Sequence, residues 1–106
     1  NALALILGLP YKSRFYINNT PVTVVKTEGS LKITLELAGK LYDVTEKESV
    51  EIYPSVFVSM GRPPSKSEPP FPRLVIDAPR DVVILREDLW MKSHDRAKKA
   101  GVPNPH

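Results

Sequence analysis

The sequence specifies a mainly β domain with one helix at its C-terminal end, and three observations carry that reading. Leu31-Lys32-Ile33-Thr34-Leu35-Glu36-Leu37 alternates apolar and polar residues without a fault, the pattern of a strand with one face on a core. Short apolar and β-branched runs elsewhere are separated by clusters of Gly, Pro and Asn, which punctuate strands. Only the segment after Glu87 carries the charge polarity of a helix, with Glu87 and Asp88 at its start and Lys98 and Lys99 at its end, matching the macrodipole. A chain of 106 residues that is 42% hydrophobic and 25% charged can bury one core, so a single unit over residues 1–100 with a tail at 101–106 is expected. The expected architecture is a small sheet or barrel-like domain of six to seven strands and one C-terminal helix.

The elements follow in order. Ala2 to Leu7 is apolar but ends at Gly8 and Pro10, well short of the ~20 residues of a membrane helix, and reads as a buried strand. Arg14 to Ile17 is a short aromatic strand that turns at Asn18-Asn19-Thr20-Pro21. Asn18-Asn19-Thr20 also fits a glycosylation acceptor, but the turn is the stronger reading. Val22 to Lys26 and the alternating strand form a hairpin across Thr27-Glu28-Gly29-Ser30, with Gly29 supplying a positive φ. From Val50 to Met60 a second alternation places Val50, Ile52, Val56, Val58 and Met60 on one face, and Pro54 marks an edge or a bulge.

Gly61 to Pro72 holds five of the eleven prolines, lacks the amide donors of a sheet strand, and is expected as an exposed loop. Pro69-Pro70-Phe71-Pro72-Arg73 also fits a ligand for a proline-recognising groove of a partner protein. Leu74 to Ile76 and Val82 to Leu85 are apolar on both faces, as in the middle of a packed sheet. In the helix, Leu89, Ser93, Ala97 and Ala100 make a thin docking stripe, and Gly101 with Pro103 closes it. No internal repeat is visible beyond the strand alternation.

Charge and chemistry narrow the function. Residues 1–61 carry equal numbers of basic and acidic side chains, so the net +3 lies wholly after Gly61, where nine basic residues face six acidic ones. That excess suits a polyanion or a plain solvated face. With no cysteine and two histidines, no metal site or cofactor is expected, and a reducing, cytoplasmic setting is allowed. Ser93-His94-Asp95 are sequence neighbours whose side chains diverge on a helix, and Asp77 with Asp81 flanks a turn, so no catalytic residue is expected and the protein reads as a non-enzyme.

The informative stretch is Arg73 to Leu89, in which Ile76-Asp77-Ala78-Pro79-Arg80-Asp81 leads to Val82-Val83-Ile84-Leu85 and then Arg86-Glu87-Asp88-Leu89. Over these 17 residues the chain resembles the carbon storage regulator family of bacterial translational regulators. There a strand ends in Ala-Pro-basic-acidic, a second apolar strand follows, and Arg-acidic-acidic-apolar opens the helix. Leu5-Ile6-Leu7 through Ile17 resembles the family's first strand and the start of its second. The family is shorter, so residues 27–71 are expected to be an insertion.

The resemblance implies an interlocked homodimer that binds GGA-containing loops of messenger RNA leaders to regulate translation. It assigns RNA contact to Leu7, Gly8, Ala78, Pro79, Arg80, Val82 and Arg86, with Arg86 the key cation. Leu9 and Pro10 stand where the family has basic residues, and Lys12 and Arg14 are the candidates to restore that charge. Leu85 stands where a histidine is common. A second reading keeps the β framework as a protein-interaction or assembly module, including in a virus-encoded protein, with the Gly61–Pro72 loop and an exposed sheet edge as its partner surface. Without the family pattern, Arg86 would read as an ion pair with Glu87 or Asp88.

Overall fold

In the computed structural model, residues 2–99 are described and form nine strands and one helix: β1 (Ala2–Gly8), β2 (Arg14–Ile17), β3 (Thr20–Glu28), β4 (Lys32–Leu37), β5 (Lys40–Thr45), β6 (Val50–Tyr53), β7 (Val56–Met60), β8 (Arg73–Pro79), β9 (Ile84–Arg86) and α1 (Glu87–Lys99). The mainly β class with a C-terminal helix is as expected. The tail at 101–106 and the closing residues Ala100, Gly101 and Pro103 lie outside the described residues.

Two differences raise the strand number above six to seven. The Val50–Met60 stretch folds back on itself, pairing Val50 with Val58 and Tyr53 with Val56 across Pro54-Ser55, because Pro54 removes a ladder donor and Ser55 adopts a left-handed φ of 64°. The bulge and edge that Pro54 suggested are both present, in a register shift between Glu51 and Tyr53 and in the place of β6 at the end of its sheet. β5 is the added strand. Its turn from β4 uses positive φ at Ala38 (52°) and Gly39 (80°), the geometry of a tight hairpin, although only Gly39 advertises it.

The strands form two antiparallel sheets, one in the order β1-β8-β7-β6 and one in the order β5-β4-β3-β2-β9. Their inward side chains make one apolar cluster that includes Leu7, Leu9, Phe15, Ile17, Val22, Val24, Ile33, Leu35, Val44, Ile52, Val56, Val58, Leu74 and Ile76. The alternation from Ile33 to Leu37 is borne out, while Leu31 falls outside β4 and is exposed. Gly29 takes its positive φ of 57° in the β3–β4 turn. On the outer face of β3, β4 and β5, Thr34 Oγ1 donates to Asp43 Oδ1 at 2.8 Å, and Lys32 Nζ lies 3.4 Å from Glu28 and 3.8 Å from Asp43.

A repeat that the sequence hides is plain in the connectivity. β2-β3-β4 and β6-β7-β8 are matching meanders, and each ends beside the strand that leads into the other: β8 pairs with β1, and β4 pairs with β5. Residues 27–71, expected as an insertion, therefore supply strands to both sheets. Within the chain β1 pairs with β8 and β9 with β2, and both β1 and β9 are outer strands of their sheets. Only β9 has no counterpart, so the sheet order ends at β6 where a matching strand would lie.

β2 is buried on both faces. Phe15 and Ile17 enter the core, while Tyr16 points outward and stacks on Trp90 with ring centroids 4.0 Å apart and planes 5° apart. That stack docks α1, in place of the expected stripe: Leu89 is 49% exposed and Ser93 is also exposed. The crossover from β8 to β9 is held by Asn18. Its N–H donates to the Val83 carbonyl at 2.6 Å, its Oδ1 accepts the Val83 N–H at 3.0 Å, and its Nδ2 donates to Tyr53 Oη at 3.1 Å. Asn18 has a φ of 55°, which asparagine tolerates better than most residues. The turn reading of Asn18-Asn19-Thr20 thus has a structural basis.

Two stability changes follow. Replacing Ala38 by Asn relieves a left-handed alanine and should raise stability by about 1 kcal/mol, a shift of about 4–8 °C in Tm by calorimetry. Asn18→Gly keeps the backbone conformation but removes two side-chain hydrogen bonds, and should cost about 1–2 kcal/mol in urea unfolding; an unchanged midpoint would show that the crossover is held by other contacts.

Candidate functional site

The residues assigned to RNA contact divide into three groups. Leu7 and Ala78 are buried in the core, at 7% and 3% exposure, and Val82 packs against it. Their side chains are structural, and only their backbones can face a ligand. Pro79 and Arg80 stand at the far end of the β1·β8 ladder, where Pro79 pairs with Ala2, about 20 Å along β8 from its first residue. Gly8 and Arg86 do come together, at the opposite end of β1.

They meet in a cleft of about 300 Å³ lined by Ile6, Gly8, Pro10, Pro69, Phe71, Arg73 and Arg86. Register builds it. Gly8 lies opposite Arg73 in the β1·β8 ladder, and Phe15 lies opposite Arg86 in the β2·β9 ladder. Arg86 is exposed and its side chain makes no hydrogen bond or ion pair among the described residues. Glu87 turns away from it, to Arg14 Nη1 at 3.7 Å. Arg14 also donates from Nε to Thr23 Oγ1 at 3.3 Å, so it is held on β3 and at the start of α1. Lys12, with a φ of 72°, sits over the Tyr11 ring at 5.5 Å. Neither Lys12 nor Arg14 lines the cleft.

Arg73, which was not among the expected site residues, also lines the cleft, with its guanidinium paired to Glu68 at 3.1 Å. Leu9 is a core residue, 2% exposed, and its N–H donates to the Pro72 carbonyl at 2.8 Å. A cation there would have to be buried. Arg73 could have been found by pairing the first strand antiparallel with the Arg73–Pro79 strand, a partnership that requires the whole topology.

The Gly61–Pro72 loop closes one side of the cleft through Pro69 and Phe71. Glu68 organises it. Its carboxylate accepts from Arg62 Nη1 and Nη2 at 3.1 Å each and from the Ser65 N–H at 2.8 Å, and it meets Arg73 Nη2 at 3.1 Å. The hydrogen bonds from Arg62, and then that from the Ser65 backbone, lower the Glu68 pKa from 4.5 to about 2.

The sequence neighbours Ser93, His94 and Asp95 lie on α1. His94 folds back on its own helix, with Nδ1 2.9 Å from the Trp90 carbonyl and its ring 3.9 Å from that of Trp90. Among the described residues no three His, Asp or Glu side chains are grouped to hold a metal ion, and no helix is long and apolar enough to cross a membrane. Compared with protein-family models, curated proteins and solved structures, the chain matches none.

Because the Glu68 carboxyl is depressed, its contribution to loop anchorage is complete above its unperturbed value of 4.5 and is lost only as pH falls through about 2. A carbon-detected NMR titration should place the Glu68 midpoint near 2, with Ser65 amide shifts following the same curve. A midpoint near 4.5 would show that the clamp does not persist in solution.

Proposed function

We propose that the protein is a non-catalytic RNA-binding regulator of translation that takes GGA-containing single-stranded loops of messenger RNA. The observation that carries this reading is Arg86, a guanidinium without a protein partner among the described residues, at the rim of a cleft shared with Gly8 and Arg73. Guanidinium donors have a fixed geometry suited to a base edge or a phosphate, and bases splayed from a loop expose those edges. The basic excess after Gly61 contributes a sequence-independent attraction to the same polyanion.

A second reading, a protein-interaction or assembly module, is favoured by one observation, the sheet edge at β6 with no strand beyond it. An open edge accepts an added strand from another chain. Protein that purifies without nucleic-acid absorbance and ignores RNA at low salt would support that reading over the first.

Arg86→Ala should weaken binding of a GGA hairpin roughly tenfold to more than a hundredfold, the loss of one charge-assisted contact of about 1.5–3 kcal/mol. A gel-shift series with GGA and scrambled hairpins at two salt concentrations measures it. Equal affinity of wild type and variant would remove Arg86 from the site.

A further inference from the structure

The proline-rich loop does more than connect β7 to β8. It places Phe71, 39% exposed, against the end of β1, where it is one of the residues lining the cleft that holds Arg73 and Arg86. The loop is fastened on both sides of that ring. Leu9 donates its N–H to the Pro72 carbonyl at 2.8 Å, Gly61 donates to the Arg73 carbonyl at 2.7 Å, and Glu68 ties Arg62 to Arg73. Pro70 and Pro72 flank Phe71, so φ is fixed immediately before and after it. Gly8 sits beneath, and a Cβ added there would lie 3.9 Å from the Phe71 Cβ.

A half-exposed aromatic ring held at both neighbours loses little freedom when a flat partner stacks on it. The remaining walls, Ile6, Pro10 and Pro69, are apolar, while Arg86 provides unpaired donors and positive charge beside Arg73, whose guanidinium is paired with Glu68. A planar heterocycle with acceptors at its edge and a phosphate attached satisfies all of these at once. An aliphatic anion would leave the ring unused, and an uncharged aromatic would leave the Arg86 guanidinium unused.

We infer that Phe71 is the stacking platform for one unpaired base of the RNA, which makes the Gly61–Pro72 loop a wall of the binding site. This rests on the RNA reading above. Stacking on an aromatic side chain accepts any base, so Phe71 supplies affinity, while Arg86 supplies donors to a base edge or phosphate.

The test compares Phe71→Leu, which keeps apolar bulk, and Phe71→Trp, which keeps a π-face, against wild type and Arg86→Ala, with GGA hairpins carrying an abasic site at each loop position in turn. Thermal melts confirm that each variant is folded. Phe71→Leu should weaken binding about 5- to 150-fold, and Phe71→Trp should hold within a few fold of wild type. The dependence of affinity on salt should be the same for Phe71→Leu and wild type, because no charge is removed. At one abasic position the difference between wild type and Phe71→Leu should vanish. If Phe71→Leu binds as wild type while Arg86→Ala is impaired, the stacking assignment is wrong and the RNA reading stands. If wild type binds no hairpin, both are wrong.

Discussion

The β1·β8 ladder is the constraint on which the rest of the molecule depends. Seven antiparallel pairs run from Ala2↔Pro79 to Gly8↔Arg73, joining the first strand to one more than sixty residues later in the chain. A slip of β8 by one residue would turn Leu74, Ile76 and Ala78 out of the core and bring Arg73, Val75 and Asp77 in, so the register is set by burial. Once set, it delivers Gly8 and Arg73 to the same end of the sheet. It also brings Leu9 beside Pro72, whose carbonyl it bonds, and so fastens the proline-rich loop. The cleft is thus a product of long-range pairing and of no local motif.

This explains why the fold class was legible and the site only partly so. Strand identity is local: alternation at Ile33–Leu37 and the Gly29 turn are written in neighbouring residues, and both appear as read. Pairing between distant strands is not local. The added strand β5 was hidden because the turn before it puts alanine at a left-handed position, where glycine or asparagine would have marked it. The helix face was misjudged for a similar reason. A helical stripe is counted from apolar spacing, but α1 docks through the single ring of Trp90 on Tyr16, and a stack between two aromatics leaves no periodic trace.

Cation placement shows the same division. Arg86 was found because it stands in a recognisable run of residues. Arg73 was not, because its relation to Gly8 exists only in the ladder. Lys12 and Arg14, near in sequence to Gly8, are carried away from it by the left-handed turn at Lys12 and by the grip of Glu87 on Arg14. Leu9 looked like lost charge, whereas its burial shows that the position belongs to the core. Arg73 stands on the neighbouring strand, opposite Gly8.

The two meanders match strand for strand, yet β9 and α1 occur once. β2 is covered along its outer side and β6 is bare, so the scaffold is built twice and furnished once. For any ligand held where β1 approaches β9, one chain is monovalent among its described residues. A polymer bearing two copies of the recognised element gains nothing from a second site tethered on the same molecule, where the effective concentration would otherwise reach roughly the millimolar range. Bridging two elements requires two chains, and the avidity of the system is therefore set by how many molecules are present and not by how each one is folded.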